Sequence, residues 1–274
     1  MIINILESIL FGIVQGITEW LPISSTGHLI ILEQFMKMDV STGFTEMYRV
    51  VIQFGSILAV LVLYFKTLNP FSASKTRIER KNTYSLWFKV LVASVPAGII
   101  GVLFDDKIDA VFYNYITVSI TLILYGIFFI LAERGNRNHN YRDKFSSTLN
   151  IDYKTAALIG IFQMLALIPG TSRSGATILG AVLLGCSRTA AAEFSFFLAI
   201  PAMFGASLLK IAKFGFDFST QEAFLLIIGM ITAFAVSLAV IRFLIGFVKK
   251  HSFSCFGWYR IILGAIVMLY FLFV

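Results

Sequence analysis

The stretch Q-G-I-T-E-W-L-P-I-S-S-T-G-H, Gln15 to His28, is a polar island in an oily chain, and P-G-T-S-R-S-G-A-T, Pro169 to Thr177, is its counterpart. Proline and glycine break each one. Lipid cannot hydrogen-bond to an open backbone, so irregular chain at membrane depth persists only buried in protein or lining a wet cavity. Ionisable groups there, here Glu19, His28 and Arg173, are functional candidates by default. The two islands read as halves of one buried site that handles a phosphate.

The surrounding chain reads as membrane protein. Of its 274 residues 58% are hydrophobic, 15% aromatic and 14% charged, with a mean hydropathy of +0.86. Soluble domains carry roughly 25% charged residues. The net charge of +7 is explained by loop lysines and arginines that set orientation, so no nucleic acid is expected as a partner. Cys186 and Cys255 form no metal spacing and are expected to be ordinary buried thiols. The start of the chain does not read as a secretory signal: it lacks a basic n-region, carries Glu7 and runs straight into the first island.

Residues 2–21 read as a helix stopped by Pro22, and Ser24, Ser25 and Thr26 offer caps for a second short helix over 27–37. Spans follow at about 47–65, 86–104 and 115–133, each near the ~20 residues that cross the hydrocarbon. A polar segment, 134–154, divides the chain, and the plan then recurs: a broken pair over 155–168 and 174–185, then spans at about 190–213, 222–248 and 257–273. Gly12-Ile13-Val14-Gln15 echoes Gly160-Ile161-Phe162-Gln163, and Gln53-Phe54 with Leu58-Ala59 echoes Glu193-Phe194 with Leu198-Ala199. The expected fold is an all-α integral membrane protein, one domain over 1–274 with pseudo-repeats at about 1–133 and 155–274. Each half is a re-entrant helix hairpin plus three transmembrane helices, giving six spans and two hairpins.

Three spans per half make the repeats inverted. Loops 66–85, 134–154 and 249–256 hold twelve basic residues, Arg137 and Arg142 among them, against Lys107 alone in 105–114 and 214–222. The second set is acidic, with Asp105, Asp106, Asp109, Asp217 and Glu222. The basic set is therefore expected in the cytoplasm, with both termini outside and the hairpin tips meeting near the midplane.

Arg173 can fork onto phosphate oxygens, with Ser172, Ser174 and Thr177 around it and a helix N-terminus behind it. A salt-bridged arginine with helix caps is the plainer alternative. Ser24, Ser25 and Thr26 are either caps or phosphate-side hydroxyls. His28 could take a hydroxyl proton, whereas the other histidines, His139 and His251, sit in basic loops. Gln15 and Glu19 share a helix face, which suits a divalent cation. Glu19 could equally pair with Arg173 or orient His28. Glu193 is a supporting candidate, and Arg242 and Arg260 are expected to snorkel.

At these motifs the chain resembles the undecaprenyl-diphosphatase (bacitracin-resistance protein) family. The family pattern [E/Q]-x-x-x-E followed by P-x-S-S-x-G-H runs here from Gln15 to Glu19 and from Pro22 to His28; P-G-x-S-R-S-x-x-T is matched from Pro169 to Thr177. Similarity continues through Ala191-Ala192-Glu193-Phe194-Ser195-Phe196 and Ala199-Ile200-Pro201. Gln15 stands where many members carry Glu, which weakens a two-acid metal site.

The resemblance implies a bacterial plasma (inner) membrane phosphatase. It would convert undecaprenyl diphosphate to undecaprenyl phosphate for wall synthesis, confer bacitracin resistance, and open its site to the outer side. It implies a divalent cation, magnesium or calcium; Glu19, helped by Gln15, would hold it or orient His28. The lipid substrate and membrane lipids are its partners, and a homodimer is one assembly left open. On that basis Ser25 is assigned as nucleophile with His28 as its base or acid. Ser24, Thr26, Ser172, Arg173, Ser174 and Thr177 hold phosphoryl oxygens. His28 as nucleophile and a metal-activated water stay open. A polyprenyl-phosphate transporter would share the fold. The acid-phosphatase type of lipid phosphatase needs a histidine where Leu179 stands, and a purely structural protein has no use for charges at the two breaks.

Overall fold

In a bilayer only helices and closed barrels satisfy their own backbone groups, and this chain takes the first route. The computed structural model describes residues 1–36, 38–112, 114–138, 143–215 and 218–273. His139, Arg142 and Asp217 lie outside the described residues, as do the side chains of Asp105, Asp106, Asp109 and Arg137. The helices are α1 (Ile2–Thr18), α2 (Ser25–Phe35), α3 (Thr42–Leu63), α4 (Phe65–Leu68), α5 (Arg77–Phe112) and α6 (Tyr115–Asn138). They continue with α7 (Tyr153–Met164), α8 (Arg173–Leu183), α9 (Arg188–Phe214), α10 (Thr220–Val248) and α11 (Ser254–Phe273). No strand occurs among the described residues. Six helices, α3, α5, α6, α9, α10 and α11, are long and apolar enough to cross a membrane: the chain is an all-helical, multi-pass membrane protein.

The four helices flanking the polar islands are shorter. At 1.5 Å per residue, the 17 residues of α1 reach about 25 Å, and the 12 of α7 about 18 Å. The 11 residues each of α2 and α8 reach about 17 Å, against a hydrocarbon core of about 30 Å. α1 ends at Thr18, three residues before the expected end. α5 departs further from the expected 86–104 span. Thr76 Oγ accepts from Glu79 N–H, and the Glu79 carboxylate accepts from Thr76 N–H. This capping box starts the helix at Arg77, so Arg77, Arg80 and Lys81 ride on a helix rather than in a loop.

Packing buries what lipid cannot solvate. Every residue of α8 from Ser174 to Val182 is buried, so the second island sits inside protein. Val102, Leu103, Ile231, Phe243, Ile266 and Leu269 remain exposed, a surface that acyl chains can cover. α1 lies against α10, α7 against α5, α3 against both α9 and α10, and α6 against α11. These contacts are close: a Cβ on Gly12 would come within 2.7 Å of Gly229 O. Asp152 caps α7, and the Thr155 N–H it accepts holds its carboxyl below the usual range. The thiols divide. Cys186 is buried, but Cys255 is exposed at the start of α11, where the loop before the helix leaves it uncovered.

Candidate active site

The two islands fold alike. Ser24 and Ser172 are the only non-glycine residues of positive φ among the described residues, at 73° and 72°. Each caps the helix it precedes, its Oγ accepting from Gly27 N–H or Gly175 N–H. Left-handed backbone at a residue with a side chain costs about 1–3 kcal/mol and persists where the surroundings over-determine it. Gly170 at φ 86° has no alternative residue, since a Cβ there would sit 2.7 Å from Val118 O. The result is two helix N-termini, at Ser25 and Arg173, aimed into one space. The partial positive charge at each favours anions.

Glu19 joins the islands. Its Oε1 accepts from Arg173 Nη2 at 3.2 Å, and its Oε2 accepts from Ser25 Oγ at 2.7 Å and Gln15 Nε2 at 2.9 Å. The ion pair is buried, with side-chain exposures of 5% for Glu19 and 12% for Arg173. Arg173 Nη1 donates to Ser195 O at 2.7 Å, and the guanidinium lies 5.9 Å from the Trp20 ring centroid. Arg173 Nε is buried without a partner. One carboxylate thus touches both the candidate nucleophile and the candidate phosphate-binding arginine.

These side chains form the polar end of a cavity of about 510 Å³, lined there by Glu19, Ser25, Thr26, Ser172, Arg173 and Gln163. It continues between α5 and α9 past Val95, Gly98, Val102, Pro201 and Gly205. A larger cavity, about 750 Å³, lies beside Glu133, Arg188 and Lys249 and touches neither island. The smaller one is the candidate active site, because residues of both polar islands line it.

Other expected site residues are placed differently. Ser174 Oγ donates to Leu21 O, Thr177 Oγ1 donates to Arg173 O and meets Ser195 Oγ, and Ser24 Oγ serves as a cap. All three hydroxyls bond to the protein's own groups and hold the islands in shape. Among the described hydrogen bonds none joins His28 to Ser25. Its Nδ1 donates to Ser24 O at 2.7 Å, and its Nε2 meets the Tyr259 hydroxyl at 2.7 Å. A carbonyl can only accept, so the proton sits on Nδ1. Glu193 hydrogen-bonds Tyr64, whereas Arg242 is exposed as expected.

Arg260 corrects the reading that it snorkels. It is 0% exposed and donates to five backbone carbonyls: Pro22, Leu122, Thr121, Gly170 and Thr171. It therefore pins both breaks at once. An arginine two turns into an apolar span was the available signal; its proximity to the helix end pointed the other way. Arg260→Met leaves buried acceptors unmet, each worth about 1–3 kcal/mol. The melting temperature in detergent is expected to fall by roughly 5–10 °C; an unchanged melt would contradict the pinning role.

For a divalent cation the donor set is thin but usable. Among the described residues no three His, Cys, Asp or Glu gather, yet Gln15 Oε1 is a buried acceptor without a partner beside the Glu19 carboxylate. Magnesium-type ions often take only one or two carboxylates together with substrate phosphates, and Glu19 with Gln15 fits that pattern.

Comparison with known proteins shows the family. The sequence model of the family described as bacitracin resistance protein BacA matches residues 8–266. The chain belongs to that family. It is 60% identical over 270 residues to an undecaprenyl-diphosphatase of Acetivibrio thermocellus, covering 98% of each chain. A second, from Enterococcus faecalis, is 58% identical over 98% of each, and undecaprenyl-diphosphatase 1 of Clostridium acetobutylicum is 55% identical over 99% of each.

Proposed function

We propose that this chain removes the terminal phosphate of undecaprenyl diphosphate by attack of Ser25, with Glu19 taking the proton. The reading rests on one observation above all: the Ser25 hydroxyl donates to Glu19, whose other oxygen holds Arg173, where two helix N-termini converge. The enzyme is a phosphatase acting on a phosphoric anhydride, and its relatives carry that name over their full length.

The steps balance on this chain's own groups. Ser25 Oγ bonds to the terminal phosphorus, the bond to the bridging oxygen breaks, and the hydroxyl proton passes to Glu19. Undecaprenyl phosphate leaves, carrying the bridging oxygen and taking the proton from Glu19. A water then attacks the phosphoserine, gives a proton to a Glu19 carboxylate freed of the first, and the proton returns to Ser25 as phosphate departs. Arg173, with the N–H groups at the starts of α2 and α8, stabilises charge spread over the phosphoryl oxygens. Glu19 and Gln15 would hold a cation, magnesium or calcium, which when bound neutralises diphosphate charge. His28 acts at one remove: its bond to Ser24 O holds the left-handed turn that aims Ser25. Thr26 and Ser172 face the same space as further hydroxyl donors.

The architecture we propose is an inverted repeat forming one membrane domain over 1–274. Exchanging α1 with α7, α2 with α8, α3 with α9, α5 with α10 and α6 with α11 maps the contact α1–α10 onto α7–α5 and α3–α10 onto α9–α5. It maps Pro22 onto Gly170 and Ser24 onto Ser172. Each short pair acts as a re-entrant hairpin packed on the other half's span, so the halves interlock. A carrier could share this plan; the Ser25–Glu19 bond favours catalysis.

The site opens to the outer side of the plasma membrane in this reading, with 249–256 in the cytoplasm. A membrane-impermeant maleimide is expected to label Cys255 in inside-out vesicles and not in intact cells. Cys186 stays unlabelled in both, since burial pushes its thiol up to about 12. Labelling of Cys255 in intact cells would reverse the orientation. Phosphate release from undecaprenyl diphosphate by the purified protein tests the function itself.

A further inference from the structure

Most glycines on these helices let another backbone approach: a Cβ at Gly12, Gly16, Gly126 or Gly264 would meet neighbouring chain within 2.8 Å. That is the usual use of small residues between membrane helices. Other helical glycines face open space: a Cβ on Gly98, Gly135, Gly205 or Gly246 would meet nothing within 4 Å, and one on Gly101 only the tip of Leu167 at 3.5 Å. Of these, Gly98, Gly101 and Gly205 line the cavity that begins at Glu19 and Arg173, Gly98 and Gly101 on α5 and Gly205 on α9. They separate the walls rather than closing them. Each wall also carries a helix-interior proline just before its glycines, Pro96 and Pro201. A proline there removes one ladder hydrogen bond and bends the helix.

The polar end of the same cavity calls for a ligand. Gln163 is 3% exposed and lines it, and Gln163 Oε1 and Arg173 Nε are both buried without partners. From there the space runs outward between walls of Val95, Val102, Met203 and Leu209, apolar and without charge. A ligand with an anionic head and a branched hydrocarbon tail matches both ends.

We propose that Gly98, Gly101 and Gly205 determine substrate specificity by keeping the α5–α9 seam wide enough for a methyl-branched polyprenyl chain. This rests on the phosphatase reading above. The occupant is the isoprenoid tail of the substrate; each of its units bears a methyl branch, which a slot lined by side chains at these positions would exclude.

The test compares undecaprenyl diphosphate with dimethylallyl diphosphate, which has the same head and a single isoprene unit, on wild type, Gly205→Ala, Gly205→Leu and Gly98→Leu. Both leucine substitutions face open space, so the proteins are expected to fold, as checked by an unchanged melting temperature. Filling the slot is expected to lower kcat/KM for the long substrate about tenfold or more, the scale of one misfitting methylene group upward. The short substrate should change less than about threefold on the same scale, with Gly205→Ala in between. Equal losses on both substrates, or no loss on either in a folded variant, would place the tail elsewhere. If wild type releases phosphate from neither, the phosphatase reading fails, which is a separate result.

Discussion

Arg173→Ala is expected to lower kcat/KM for undecaprenyl diphosphate by roughly 10³–10⁵, the range measured when a charge-stabilising arginine is lost from phosphoryl transfer. The fork of the guanidinium is what matters. Nη1 is held by Ser195 O and Nη2 by Glu19, which fixes the plane of the group and leaves Nε facing no partner. Arg173→Lys keeps the charge but cannot make paired contacts, so it should recover only a small part of the lost rate. The substitution also strands Glu19. Removing one partner of a buried pair costs about 3–5 kcal/mol, and a lower melting temperature should accompany Arg173→Ala. Pairing it with Glu19→Gln relieves that stranded charge. The double variant is therefore expected to melt higher than Arg173→Ala while staying inactive. Activity restored along with stability would show that neither Arg173 nor Glu19 takes part in the chemistry.

Ser25→Ala is expected to reduce phosphate release by roughly 10⁴-fold or more, the scale of losing a nucleophile from a unit that works together. Its structural cost is small, because one hydrogen bond to Glu19 is worth about 1 kcal/mol net. Thr26→Ala, the neighbouring hydroxyl on the same cavity, is the control, with a loss of about tenfold or less. Comparable losses in the two would assign both to phosphate binding and remove Ser25 from the bond-making step. The geometry argues against that outcome, since only Ser25 presents its proton to a carboxylate.

Much of the architecture was legible in the chain because lipid enforces it. Runs of about twenty apolar residues had to become helices, and all six spans appear where hydropathy puts them. The polar islands stood out because charge at membrane depth is costly. Boundaries were less legible: Thr76 and Glu79 start α5 at Arg77 through a side-chain cap that hydropathy does not register. Motif spacing singled out Glu19, Ser25 and Arg173 and left the Glu19–Arg173 pair as one alternative among several, because the choice depends on how the chain after α1 meets α8 across 154 residues of sequence. Arg260 escaped because its five acceptors come from three distant segments. His28, three residues from Ser25, was legible as a candidate base, but its contacts to Ser24 O and the Tyr259 hydroxyl were not.

The central claim is that the Ser25 oxygen, rather than water, first attacks phosphorus. The stereochemical course at phosphorus tests it most directly, using undecaprenyl diphosphate whose terminal thiophosphate is made chiral with oxygen isotopes. Two successive displacements, one by Ser25 and one by water, predict overall retention in the released thiophosphate. Inversion would mean a single attack by water, and would contradict the mechanism.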